Sequence, residues 1–190
     1  CVSKIIGIPK NTIEINLCNC LLSGTLGNGY FINRIKAYSH TFIPNTIETL
    51  KLSSNYLTNV DLTLCQNLKE LNICNNKINS FHLGIKPLLE ILDCSKNDID
   101  FIDLEYCCSL KKISICSNKL TDITNISHNV HYINVSNNKL KSIPILPPKI
   151  NFLNLSFNNI HKIVPLDKYK KLQSLYLSDN KISGDLLVDC

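Results

Sequence analysis

LKLSSNYL at residues 50–57 returns as LNICNNKI at 71–78 and LDCSKNDI at 92–99. It returns again as ISICSNKL at 113–120, INVSNNKL at 133–140, LNLSFNNI at 153–160 and LYLSDNKI at 175–182. The sixth letter of every octet is Asn: Asn55, Asn76, Asn97, Asn118, Asn138, Asn158 and Asn180, in steps of 21, 21, 21, 20, 20 and 22 residues. An apolar residue stands three places before each octet, at Ile47, Leu68, Leu89, Leu110, Val130, Ile150 and Leu172.

The alternation in Leu50-Lys51-Leu52 is that of a short strand with one face buried. The Asn carries two donors and an acceptor, enough to satisfy backbone groups where the chain leaves the strand. Leu57 and its equivalents re-enter the core. One such turn cannot bury its apolar face alone, so the turns must stack, with parallel strands lining one side at a spacing of about 4.8 Å. Only about ten residues per repeat remain for the return, and Pro44, Pro87, Pro144, Pro147, Pro148 and Pro165 oppose helix there. Extended or 3₁₀ returns are expected, with at most one longer return, at Leu166–Lys171.

The whole pattern, L-x-x-L-x-L-x-x-N-x-L, resembles the leucine-rich-repeat superfamily, over roughly residues 5 to 188. Residues 142–160, SIPILPPKINFLNLSFNNI, are similar to the short proline-bearing repeats of bacterial effector proteins, and the 21- and 22-residue turns to the short intracellular class. The expected fold is a single, β-rich leucine-rich-repeat solenoid of the α/β horseshoe class over residues 1–190, with about eight or nine repeats. Firm repeats occupy 47–188 and degenerate ones 5–46. In the first degenerate repeat Cys20 replaces the Asn. The second, Ile32–Phe42 with His40 at the Asn position, lies only 15 residues before Asn55, and an irregular bulge around Gly24, Gly27 and Gly29 is the alternative.

Composition agrees with one globular domain: 44% apolar, 18% charged, with no low-complexity linker. The net charge of +5 is spread over scattered lysines, which disfavours nucleic acid and membrane as partners. No apolar run is long enough to cross a bilayer. With Cys at position 1 and no Met, the sequence reads as a piece of a longer product, with room for a targeting segment already removed.

Ten cysteines raise the question of a disulfide framework. The repeat argues against it, because one small-residue position reads Cys18, Ser53, Cys74, Ser95, Cys116, Ser136, Ser156, Ser178. Cys94 replaces a strand leucine, and Cys65 and Cys107 share a third position. Cys74 and Cys116 would stand about two strand spacings apart, beyond disulfide reach. Structural thiols in a reducing cytoplasm are expected. The sequons at Asn125, Asn134 and Asn154 follow from the repeat pattern.

No chemistry-bearing constellation emerges. His128 and His131 lack a third ligand in register, so no metal is expected, and no phosphate loop or nucleophile elbow is present, so no cofactor is expected. Cys107-Cys108 has no neighbouring His or Lys in the pattern to activate a thiol. Glu70 and Asp93 are expected on adjacent strands as part of a solvated face.

The strand face expected to be exposed is polar and mixed in charge toward the N-terminus. Large aromatics gather toward the other end at Tyr132, Phe152, Phe157 and Tyr176, with Asn134 and Asn154 between them. Exposed aromatic clusters tend to carry binding energy. The resemblance implies a noncatalytic scaffold that binds another protein on its concave face, and these six residues are the expected contact. The alternatives are the substrate-recognition domain of a larger enzyme such as a ubiquitin ligase, or a structural spacer. Without a visible polar cap after Leu187, self-association through uncapped solenoid ends also stays open.

Overall fold

The computed structural model describes residues 8–26, 43–79, 81 and 83–183. Eight strands form one parallel sheet in chain order: β1 (Glu14–Asn16), β3 (Thr49–Lys51), β5 (Glu70–Asn72), β6 (Ile91–Asp93), β7 (Lys112–Ser114), β8 (Tyr132–Asn134), β9 (Phe152–Asn154) and β10 (Ser174–Tyr176). A second, two-stranded parallel sheet joins β2 (Ser23–Leu26) to β4 (Tyr56–Val60).

Each strand of the large sheet is three residues long, with its middle side chain inward. Those middle residues pair in unbroken register: Ile15, Leu50, Leu71, Leu92, Ile113, Ile133, Leu153 and Leu175. All are buried except Leu175, which lies on the terminal strand and is 40% exposed. The second octet leucine and its equivalents, from Leu52 to Leu155, are also fully buried. Burying a Leu or Ile side chain contributes about 1.5–3 kcal/mol, so the column of stacked side chains is the main source of stability. Cys94, in a leucine position, is buried within it.

The returns contain no helix among the described residues. They run extended and close with a tight turn just before each strand. In these turns the amides of Ile47, Leu110, Val130 and Ile150 donate to Pro44, Cys107, Ser127 and Pro147 at 3.1–3.2 Å. The return at 166–171 is a pair of successive turns, Tyr169 N–H to Leu166 O and Leu172 N–H to Tyr169 O, each 2.9 Å.

At the N-terminal end β1 pairs directly with β3, Glu14 opposite Thr49. The loosely matching stretch Ile32–Phe42 lies outside the described residues, as do Gly27 and Gly29. Gly24 belongs to β2, and the register of β2 against β4 breaks between Gly24 and Thr25. The sequence pattern missed this small sheet, because its strands carry no alternating apolar signature.

Candidate protein-binding face

The asparagines of the octets hold the turns together. Asn118 is representative: its Nδ2 donates to the carbonyls of Cys94, Ile115 and Cys116 at 3.0, 3.2 and 3.3 Å. Its Oδ1 accepts the Ile99 N–H at 3.0 Å. Two of these partners belong to its own turn and two to the turn before. Asn76, Asn97, Asn138, Asn158 and Asn180 repeat the arrangement. Asn55 takes two amides, those of Cys20 and Leu22. Cys20 stands in the ladder position, where its thiol donates to the Cys18 carbonyl at 3.4 Å, one of the bonds an asparagine would make.

The residue before each ladder asparagine adopts a left-handed backbone. The row is Asn19, Ser54, Asn75, Lys96, Ser117, Asn137, Phe157 and Asp179, with φ between 54° and 56°. Asn and Asp suit this conformation, and two of the asparagines bond sideways: Asn75 to Ser54 and Asn137 to Ser117, each at 3.1 Å. Phe157 has no such compensation. It is a bulky residue held at φ 56°, with 56% of its surface in water. This combination costs free energy and hides little apolar area.

The other aromatics meet across neighbouring strands. Tyr132 and Phe152 stack with ring centroids 4.4 Å apart and planes at 7°. Tyr176 follows at 5.5 Å from Phe152, tilted by 44°, and is 49% exposed. Tyr132 and Phe152 are both half-buried. Phe157 shares no ring contact with them among the described residues.

Asn134 and Asn154 occupy register-paired positions on β8 and β9. The Oδ1 of Asn134 accepts the Ser136 amide at 3.2 Å and the Ser136 hydroxyl at 2.8 Å, and the Oδ1 of Asn154 accepts the Ser156 amide at 3.0 Å. Asp93 uses its Oδ1 identically toward Ser95 N–H at 3.0 Å. These bonds brace the bend after each strand and fix which end of the carboxamide faces out. The fold thus commits the acceptor of each carboxamide to the chain itself and leaves the NH₂ groups.

Several charges on and beside the sheet are paired. Lys51–Glu70 at 3.2 Å, Lys69–Glu48 at 2.8 Å and Lys111–Glu90 at 2.8 Å bridge neighbouring turns. Glu70 therefore faces a lysine, while its register partner on β6 is Ile91. Lys112, opposite Tyr132 in register, has no ion-pair partner among the described residues.

On the returns, Lys86 occupies the same repeat position as Cys65 and Cys107, and it is fully buried. Its Nζ donates to the Ile85 carbonyl at 3.2 Å. Burial lowers its pKa, and the neighbouring thiols and Asp61 oppose that only partly. So Cys107 does have a lysine nearby, contrary to the sequence expectation. Burial nevertheless dominates and pushes the Cys107 thiol up to about 11, the wrong direction for a nucleophile. Burial likewise raises Cys74 and, much further, Cys94. No group of His, Cys, Asp or Glu among the described residues is arranged to hold a metal ion.

Comparisons with known proteins bear on the fold. A family model described as Leucine Rich Repeat matches residues 171–190. No curated protein matches the chain in sequence. Among solved structures, YopM from Yersinia enterocolitica shares 19% identity at a TM-score of 0.69, over 96% of this chain and 41% of that one. The functional domain of InlJ from Listeria monocytogenes, which includes a cysteine ladder, shares 22% identity at 0.67, over 75% of this chain and 37% of that one. An internalin, inlF, from Listeria monocytogenes shares 21% identity at 0.62, over 72% of this chain and 42% of that one. The chain thus spans less than half the length of each. Seven in-phase signatures, a Leucine Rich Repeat family model matching the last of them and a shared solenoid fold make this chain similar to leucine-rich-repeat proteins.

Proposed function

We propose that the chain is a noncatalytic scaffold that binds another protein across the sheet face, with Tyr132, Asn134, Phe152, Asn154, Phe157 and Tyr176 as the contact. Leucine-rich-repeat proteins are generally protein-interaction scaffolds. The observation that carries the assignment to this end of the sheet is Phe157. A strained, solvent-facing phenylalanine in a row otherwise filled by Asn, Ser, Lys and Asp is poor for stability, and a docking partner would bury it. The stacked Tyr132–Phe152 pair, with Tyr176 tilted against it, would give an apolar base with reduced side-chain entropy left to lose. A reducing compartment such as the cytoplasm suits a core that uses thiols as small apolar filler.

The test is a pull-down under reducing conditions with the native chain and a variant carrying Ser at 132, 152, 157 and 176, with circular dichroism confirming the fold of both. A protein retained by the native chain, lost by the variant and protecting Phe152–Phe157 from hydrogen exchange is the expected result. Equal retention by both would move the site elsewhere. Absence of specific retention would favour the spacer role.

A further inference from the structure

We propose that the aromatic end of the sheet takes an extended, acidic peptide segment, with an Asp or Glu side chain on Lys112 and apolar side chains on the Tyr132–Phe152 edge. The inference rests on the protein-binding role proposed above and names the chemistry of the partner.

The asparagine and lysine groups that this region offers are donors. Asn134 and Asn154 each commit Oδ1 to a backbone amide of their own chain, so the groups facing outward are NH₂, and neither NH₂ has an acceptor among the described residues. Lys112 adds an exposed ammonium with no ion pair among the described residues, next to Tyr132 in register. Its in-register neighbours, Ile91 and Tyr132, are uncharged, and the nearby Lys111 already holds Glu90 at 2.8 Å. Two carboxylates flank the region. Asp93, across β6 from Ser114, has one oxygen engaged by Ser95 N–H. Asp179 lies beyond the aromatics, on the turn after β10. A segment laid across β7 to β10 therefore meets a cation first and then apolar rings flanked by amide donors, with a carboxylate beyond either end. Backbone carbonyls and a carboxylate are what such a surface complements.

Strand spacing sets the spacing of the match. Lys112 and Phe152 are two strands apart, about 9.6 Å, between the two-residue and four-residue spans of extended chain that keep both side chains on one face, and the lysine stem reaches either. The acidic residue should stand about two or four positions from the apolar residue that contacts Phe152.

The sheet itself supplies a control that separates this inference from the broader role. Asp93 makes the same bond to Ser95 that Asn134 and Asn154 make to Ser136 and Ser156. Asn134→Asp and Asn154→Asp therefore preserve the bend while turning an outward donor into a negative acceptor. A phage-displayed library of random twelve-residue peptides is selected on the purified chain under reducing conditions, and enriched peptides are resynthesised for fluorescence anisotropy. The expected peptides carry Asp or Glu about two or four residues from a Leu, Ile or Phe. Their affinity falls roughly fivefold with Lys112→Gln, further with Asn134→Asp/Asn154→Asp, and declines with added salt in the native chain. Neutral or basic peptides that still require the aromatics, or acidic ones indifferent to Lys112 and to both Asp substitutions, would overturn the inference and leave the docking role standing. No peptide enriched over the four-Ser variant would overturn both.

Discussion

Tyr132 and Phe152, twenty residues apart in sequence, lie face to face with 4.4 Å between ring centroids and 7° between planes. Each shields a face of the other from water, which explains how two aromatics on a solvent-facing strand surface come to be only half-exposed. A double-mutant cycle with Tyr132→Ala and Phe152→Ala, read by urea denaturation, should give a favourable coupling of about 0.5–1.5 kcal/mol. Additive losses would mean that the two rings do not support one another.

Phe157→Asn should make the isolated chain more stable by about 1 kcal/mol, because Asn tolerates the left-handed backbone that Phe resists. The same substitution should weaken partner binding. The midpoint of urea denaturation measures the first effect. A midpoint that falls would mean that the ring contributes packing that outweighs its backbone strain.

Asn118→Ala removes three donated hydrogen bonds and leaves the Ile99 amide without its acceptor. A loss of roughly 2–4 kcal/mol is expected from the unmet groups alone. Asn118→Asp should be no better, since a carboxylate oxygen would then face three carbonyls. Both variants are read by the same denaturation assay, and retention of near-native stability by the Asp variant would contradict the bonding pattern.

Lys86→Met should stabilise the fold at neutral pH by about 1–3 kcal/mol, because it replaces a buried ammonium with an apolar chain of similar length. The sign of the pH dependence follows from the lowered pKa. Between the folded value and the ordinary 10.5, the unfolded chain binds more protons than the folded one. Native stability therefore rises with pH through that window and carries its full penalty below it. The Met variant should lack that rise, which denaturation between pH 7 and 10.5 will register.

The fold was legible because its determinants are periodic. Seven copies of one octet fix the strands, their inward leucines and the asparagine positions, and a neighbour one turn away always carries the same pattern. Features that break the period were not legible. The β2–β4 sheet carries no alternation, and Gly24 within it resembles loop chemistry. Lys86 escaped notice because a lysine at a cysteine position looks like a surface residue. Only stacking shows that it lies inside, between the turns carrying Cys65 and Cys107.

The surface was legible in composition and less so in geometry. Strand alternation placed Tyr132, Phe152 and Tyr176 on one face, but not the stacking that covers ring faces and leaves their edges. The left-handed backbone of Phe157 was equally hidden, since no single residue type marks that row. Nor did the sequence show that Asn134 and Asn154 had already committed their oxygens, which depends on the bend two residues later.

The ladder asparagines give the array a direction in time. Leu57 N–H waits for Asn76, Ile78 for Asn97, Ile99 for Asn118, and so on to Ile160 and Asn180. Each turn thus lends its side chain to the turn before it. During synthesis from the N-terminus, a repeat would emerge with one amide still unmet and would be sealed only when the next repeat left the ribosome. Folding would trail translation by about one repeat, as a zipper closes behind its slider.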